Sequence, residues 1–266
     1  MPSGHLWFLA VAGSLNLLVT LFYVRAVLRQ WATGNRWSIW RLGFWLAGSL
    51  ALGWALSPGI MALAHVDLRW HMVQHLLLGM VAPLGLVLGA PVTLLLRSIG
   101  PRPGRWIVRI LGSGYLWMIT HPLTALLLNI GGMYALYMTP LYLASQQSVA
   151  LHVLVHVHFF AAGYLFSWSI LAGPDRSSHR IPPAVRLAIL ALGIALHGAL
   201  GKLMYAQLLP AGTGQPADQL RAAAQLMYYG GDMAEGLLLI ALLSTWHRWR
   251  APLGSARIQP LPRVRV

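Results

Sequence analysis

Backbone N–H and C=O groups cannot be left unpaired in hydrocarbon, so a chain that crosses a bilayer does so as helices or as a closed barrel. That constraint governs this chain, because its apolar residues arrive in runs of about 20 or more, the length that crosses ~30 Å of hydrocarbon. No strand-like alternation marks a barrel. Only 9% of the 266 residues are charged and 58% are hydrophobic, whereas a soluble domain carries about 25% charge. The expected fold is all-α, a polytopic membrane helix bundle.

Seven transmembrane helices are expected, at 5–28, 38–57, 70–96, 115–138, 147–172, 183–209 and 219–246. The net charge of +14 does not describe a nucleic-acid surface, because the arginines lie in the gaps between apolar runs. Arg25, Arg29, Arg36 and Arg41 flank the first gap, and Arg97, Arg102, Arg105 and Arg109 the third. Arg176, Arg180 and Arg186 fill the fifth, and Arg248, Arg250, Arg257, Arg263 and Arg265 the tail. The even gaps hold only Arg69 and Arg221. By the positive-inside rule the N-terminus lies outside and the C-terminus in the cytoplasm. The opening MPSGHLWF has no basic segment of the kind that starts a signal peptide, so the first helix is expected to be retained. Residues 1–251 are expected to form one transmembrane domain, and 252–266 a basic, disordered cytoplasmic tail.

Ionisable groups at membrane depth are costly and should face the bundle interior. His71 and His75 open the third expected span, and His152, His156 and His158 open the fifth, both at their outer ends. Residues four apart share a helix face, with Cβ atoms about 5–6 Å apart. His71 with His75, and His152 with His156, can therefore each hold a metal ion together, with Gln74 beside the first pair. His158 points nearly the other way and ranks below them. His197 lies deeper in the sixth span with Met204 on its face, and Asp232 and Glu235 share a face of the seventh. Imidazole suits copper, zinc, iron and nickel, and thioether favours Cu(I). A four-histidine site with Met72 or Met204 nearby reads best as copper.

Other chemistries fit less well. The zinc-protease spacing of His71 and His75 lacks the glutamate that would serve as base. The cluster His152, His156 and His158 resembles one box of the membrane di-iron hydroxylases, which need more boxes. Two histidines on one helix face cannot take opposite axial positions of one haem, which leaves haem as the second cofactor reading. With no cysteine in the chain, disulfides and thiolate sites are excluded. His5, His65, His121, His179 and His247 are read as polar tips reaching headgroups. Asp232 has three open readings: an acceptor behind a ligating histidine, a direct ligand, or an ion-pair partner of Lys202. Pro83 and Pro91, with Gly79, Gly85 and Gly89, predict a kinked, closely packed third helix. Residues 209–218 read as a loop.

Four stretches carry a resemblance: HMVQHLLLGMVAPLGLVLGAP at 71–91, HVLVHVHFFAAGYLFSWSILAGPD at 152–175, LHGALGKLM at 196–204 and YYGGDMAEG at 228–236. Their ordered combination resembles the CtaG family of seven-helix proteins associated with assembly of caa-type cytochrome c oxidase. The resemblance implies a bacterial inner-membrane assembly factor, not an enzyme, that helps mature an oxidase copper centre. It also implies an apo-oxidase subunit as partner. Domains of this kind also occur fused to copper-resistance membrane domains, so copper uptake stays open. A cysteine-dependent assembly factor sharing the family's name is unrelated, and its mechanism does not carry over. The expected mechanism has Cu(I) arriving from the periplasmic side, from a periplasmic copper donor, and held by His71, His75, His152 and His156. His197 and Asp232 form a deeper layer, and Met204 offers a soft transfer ligand. The rivals are a copper transporter and a haem-binding redox protein.

Overall fold

The computed structural model describes residues 3–171 and 181–250, with side chains over 7–171 and 181–244. Every regular element among them is helical. The expected tail at 252–266 lies outside the described residues, as does His179, and the same holds for the side chains of His5 and His247.

Helix α1 (Ser3–Ala32) is followed by α2 (Ile39–Ala55) and α3 (Pro58–Val66). α2 matches the expected span 38–57. At its end Ser57 caps a further helix that was not expected, its hydroxyl accepting from Ile60 N–H, with Pro58 in the first turn. A proline is tolerated there because its missing donor would be unpaired anyway. α2 and α3 meet at 53°.

The next segment comprises α4 (Leu68–Leu76), a π-helical turn (Leu77–Val81), α5 (Ala82–Leu88) and α6 (Pro91–Ser98). The predicted kink has two causes. Pro83 cannot donate to the carbonyl four residues back, and the wider turn just before it absorbs that loss. Ala90 then takes a left-handed conformation, φ 52°, immediately before Pro91.

The arginine-rich third gap is itself largely helical. α7 (Pro101–Leu111) buries none of its residues, and it sets Arg102, Arg105 and Arg109 on one face in the manner of an interfacial helix. The expected span 115–138 is split into α8 (Gly114–Ile119) and α9 (Pro122–Met138). Pro122 forces the break, and His121 Nδ1 accepts from Leu123 N–H at 3.2 Å to start the second helix. α9 meets α10 (Leu141–Gln147) at 80°. α11 (Val149–Leu171), α12 (Pro183–Gln207) and α13 (Ala217–Arg250) complete the order.

Five stretches are long and apolar enough to cross a membrane: Trp7–Ala32, Leu68–Ser98, Val149–Leu171, Pro183–Gln207 and Ala217–Ser244. The bent pairs α2–α3 and α9–α10 could each add one more. This is a multi-pass membrane protein.

The broken helix α4–α5 is the hub. α4 packs on α3 and α13, α5 on α2 and α11, and the π-turn on α11. Two backbone contacts set these distances. A Cβ on Gly163 of α11 would overlap the Gly79 carbonyl of the π-turn, and a Cβ on Gly85 would stand 2.8 Å from Gly48 Cα of α2. Small residues permit such approaches, which supply dispersion contacts where lipid leaves no hydrophobic drive between helices. Arg186, buried on α12, donates to the carbonyls of Ile170 and Leu171 at 3.0 Å and closes the end of α11.

Gly163→Ala should lower the thermal midpoint in detergent by an amount reflecting about 1–3 kcal/mol of overpacking. Gly13→Ala, whose Cβ meets nothing within 4 Å, should leave the midpoint nearly unchanged.

Candidate functional site

The His pairs lie on α4 and α11, which face each other across the π-turn. His71, His75, His152 and His156 are all buried, as is Gln74. A small cavity of about 10 Å³ is lined by His71, Gln74, His75, His156, Leu78, Val155 and Phe159. His71 and His75 thus share one hole with His156 of the second pair, and its volume is close to the least that holds a water-sized body.

α3 brings a third pair of donors. His152 Nε2 approaches the Met61 sulfur at 3.3 Å, and the His65 ring stands edge-on to His152 with centroids 4.8 Å apart. The rings of His152 and His156 are 4.2 Å apart. His71 lies within electrostatic reach of His156, His75, His152 and His65. Sequence reasoning left Met61 out and assigned His65 to the headgroups. The signal was present: Met61 and His65 repeat the four-residue spacing of the other two pairs.

The hydrogen bonds around this layer are not fully matched. His156 Nδ1–H donates to the His152 carbonyl at 2.9 Å, while His156 Nε2 lies 3.3 Å from Gln74 Oε1. A neutral imidazole carries one N–H, so His156 cannot donate to both acceptors. Turning the Gln74 amide over does not help, because its nitrogen already donates to the Ala55 carbonyl at 2.8 Å. His71 Nε2 shares a hydrogen bond of 3.2 Å with the Tyr137 hydroxyl. His75 Nε2 finds no hydrogen-bond partner among the described residues, with the ring edge-on to Phe159 at 4.9 Å. As the side chains stand, no three His, Asp or Glu residues among those described are grouped to hold one metal ion.

The start of α4 is fixed by charge. Asp67 accepts from Arg69 N–H at 2.9 Å and pairs with its guanidinium at 2.6 Å. The Arg69 side-chain hydrogen bond, reinforced by the backbone bond and charge, holds the Asp67 carboxyl below its usual range against a modest burial cost. Gln215, in the expected 209–218 loop, accepts from Leu68 N–H and donates to the Val66 carbonyl, clamping the α3–α4 junction.

Deeper in the bundle, His197 is fully buried, and the carboxylate that faces it is Glu235, with His197 Nδ1 and Glu235 Oε1 3.7 Å apart. Asp232 is exposed. The two acids share a helix side only loosely, and the sixth of a turn between them, about 60°, separates core from surface. Gly231 lies flat against the His197 ring, leaving no room for a side chain. Glu235, Asn129 and Ser167 line a second cavity of about 20 Å³, and Glu235 Oε2 and Asn129 Oδ1 have no hydrogen-bond partner among the described residues. Met204 is fully buried in the same apolar cluster as Met72. His158 turns to α9, where its Nε2–H donates to the Leu128 carbonyl at 3.1 Å. Lys202 sits over the Tyr228 ring at 5.4 Å.

Residues 21–249 match the model of the cytochrome c oxidase caa3 assembly factor family, Caa3_CtaG. The chain belongs to this family. The matched range contains every donor described above, from Met61 to Glu235. An uncharacterised protein of Mycobacterium leprae is 31% identical over 199 residues, 72% of this chain and 30% of that protein. Uncharacterised proteins of Mycobacterium bovis and Mycobacterium tuberculosis are each 32% identical over the same length and shares. The aligned part is thus under a third of the length of these curated relatives. No solved structure matches the chain.

Glu235→Ala should destabilise the protein in thermal melts by about 1–3 kcal/mol, since it leaves His197 facing an emptied polar cavity. Asp232→Ala, at an exposed position, should shift the same melts far less.

Proposed function

We propose that this CtaG family protein is a non-enzymatic oxidase assembly factor that holds Cu(I) in the imidazole–thioether layer and passes it to an apo-oxidase subunit. The observation that carries the reading is the 3.3 Å approach of His152 Nε2 to the Met61 sulfur. It places a borderline and a soft donor side by side, the combination that favours Cu(I). Cu(I) accepts low coordination numbers, so it does not require three ligands already gathered.

The neighbouring groups fit a cation as cargo. Gln74 Oε1 and His156 Nε2 lie 3.3 Å apart, and both can turn a lone pair to a cation beside them without a buried imidazolium. The unpartnered His75 Nε2 is a further free lone pair on the wall of the same hole. A site made of neutral donors binds with modest strength and exchanges its ligands readily, as a delivery protein requires. His197 and Glu235 form the deeper layer, with Glu235 taking the place assigned to Asp232. The small cavity accommodates a single ion far more readily than a porphyrin, which favours copper over haem.

The family supplies the rest. The oxidase partner follows from its description, and with it the bacterial inner membrane. The bent pairs α2–α3 and α9–α10 each count as one crossing, giving seven, with the N-terminus outside and the imidazole layer toward the periplasm. The α3 segment, which carries Met61 and His65, is the ligand-bearing element nearest that surface. The buried Glu235 with Asn129 gives a transport reading some support, and copper flux into vesicles distinguishes it, since a delivery protein need not move metal across.

In competition with a Cu(I) chelator, Met61→Leu and His152→Ala should each weaken Cu(I) binding by about tenfold or more, and His158→Ala should not. A tenfold change corresponds to about 1.4 kcal/mol. Wild-type affinity retained by both of the first two variants would remove the basis of the assignment. For topology, Ala211→Cys should react with a membrane-impermeant maleimide from outside intact cells, and Asn35→Cys only after permeabilisation. The reverse pattern would invert the orientation.

A further inference from the structure

At the end of the bundle away from the histidines, α2, α5 and α13 enclose a groove of about 1040 Å³. This lies at the top of the roughly 300–1,000 Å³ usual for small-molecule sites. Its depth is apolar, with Phe44, Leu88, Leu237 and Ile240 among its walls, and its mouth carries Arg36, Arg41 and Arg97. We propose that this groove is a binding site for one anionic phospholipid, its phosphate held by the three arginines and its acyl chains laid along the apolar walls.

The charge balance asks for an anion. The guanidinium groups of Arg41 and Arg97 both lie over the Trp37 ring, at 5.0 and 5.5 Å from its centroid. Two like charges are thus gathered on one indole, a favourable cation–π arrangement that still leaves their mutual repulsion. No Asp or Glu lines the groove, and the ion pairs among the described residues do not involve these arginines. Among the described residues no carboxylate answers these charges, and a ligand phosphate would.

The corner is also built rather than loose. Arg97 Nη1 donates to the Arg36 carbonyl at 3.5 Å, and Gln30 donates to the Arg97 carbonyl at 3.3 Å. Trp37 is itself buried, and its indole N–H has no acceptor among the described residues. The exposed Trp40 beside it has the amphipathic character of a residue at the headgroup level.

The ligand must therefore be anionic at one end and apolar over the rest of its length, with the two parts in line along the membrane normal. An acidic peptide satisfies the mouth but not the groove, and an apolar helix the groove but not the mouth. Basic pockets between transmembrane helices bind anionic headgroups for this reason.

The test uses the full chain, delipidated in detergent and titrated with phosphatidylglycerol or phosphatidylcholine under native mass spectrometry. The expected result is one phosphatidylglycerol bound with about tenfold preference over phosphatidylcholine, a conservative value for three cations near a headgroup. The triple variant Arg36→Gln, Arg41→Gln, Arg97→Gln should lose the preference. Arg41→Lys with Arg97→Lys, which keeps the charge, should retain most of it. Ala47→Trp, which fills the groove and spares the arginines, should weaken both lipids. Each variant is compared at matched thermal midpoint and elution volume, so that misfolding is recognised as such. Equal binding of the two lipids, a preference unchanged in the triple Gln variant, or a photo-cross-linker at Leu88 capturing a stoichiometric polypeptide in native membranes would each overturn the assignment.

Discussion

The passage of α11 over the Leu77–Val81 turn is the contact on which the rest of the bundle depends. Gly163 leaves no room for a Cβ against the Gly79 carbonyl, so the two backbones touch and their relative rotation is fixed. His156 and His152 precede Gly163 by seven and eleven residues, which keeps them on the face that makes this contact. On the other side, the His75 ring lies within van der Waals reach of the position a Gly79 side chain would take. The glycine contact thus sets the phase of both helices and turns all four imidazoles into one seam. A side chain at Gly163 would separate the pairs without touching a histidine.

The seam is energetically expensive. A buried polar group without its hydrogen bond costs about 1–3 kcal/mol. His75 Nε2, Glu235 Oε2 and Asn129 Oδ1 are in that condition among the described residues, while His156 faces two acceptors with one proton. Elsewhere Asn16 is bonded to Ser49, Tyr23 donates to the Gly89 carbonyl at 2.7 Å, and Arg186 closes α11, while Trp37 Nε1, Trp45 Nε1, Gln146 Nε2 and Arg186 Nε also lack a partner among the described residues. Within the seam, His75 Nε2, Asn129 Oδ1 and Glu235 Oε2 each belong to the lining of one of the two small cavities.

Much of this was legible in the sequence because membrane helices obey two simple rules, length and exclusion of charge. The all-helical class, the approximate spans, the kink at Pro83 and the pairing of His71 with His75 and His152 with His156 on helix faces follow from them. The break at His121–Pro122 was written in a proline and a cap residue, but hydropathy alone smooths over it; at Ser57–Pro58 the expected span ended in the right place, and the helix that follows was missed. Asp232 and Glu235 show a finer limit. Three residues apart on a helix is a 300° turn, so two acids at that spacing diverge by about 60°, enough for one to be buried and the other exposed. His65 was misread because its partners are distant in sequence. Its nearest imidazole, His152, comes from another helix, and only the 53° bend of α3 swings it there.

The broken helix α4–α5 also explains why one protein can carry two such different surfaces. His71, Gln74, His75 and Leu78 line the polar hole, and Val81, Leu84, Gly85 and Leu88 line the apolar groove. A regular helix would carry one face along its whole length, so a polar stripe at one end would continue as the same stripe at the other. The π-turn inserts a residue between the two halves and rotates the second relative to the first. Above the turn the segment presents imidazoles to α11; below it, smooth apolar side chains and Gly85 to α2. Pro83 makes that insertion cheap, since a carbonyl there has already lost its donor. A single proline in a greasy run is what lets the same helix be a wall of both sites.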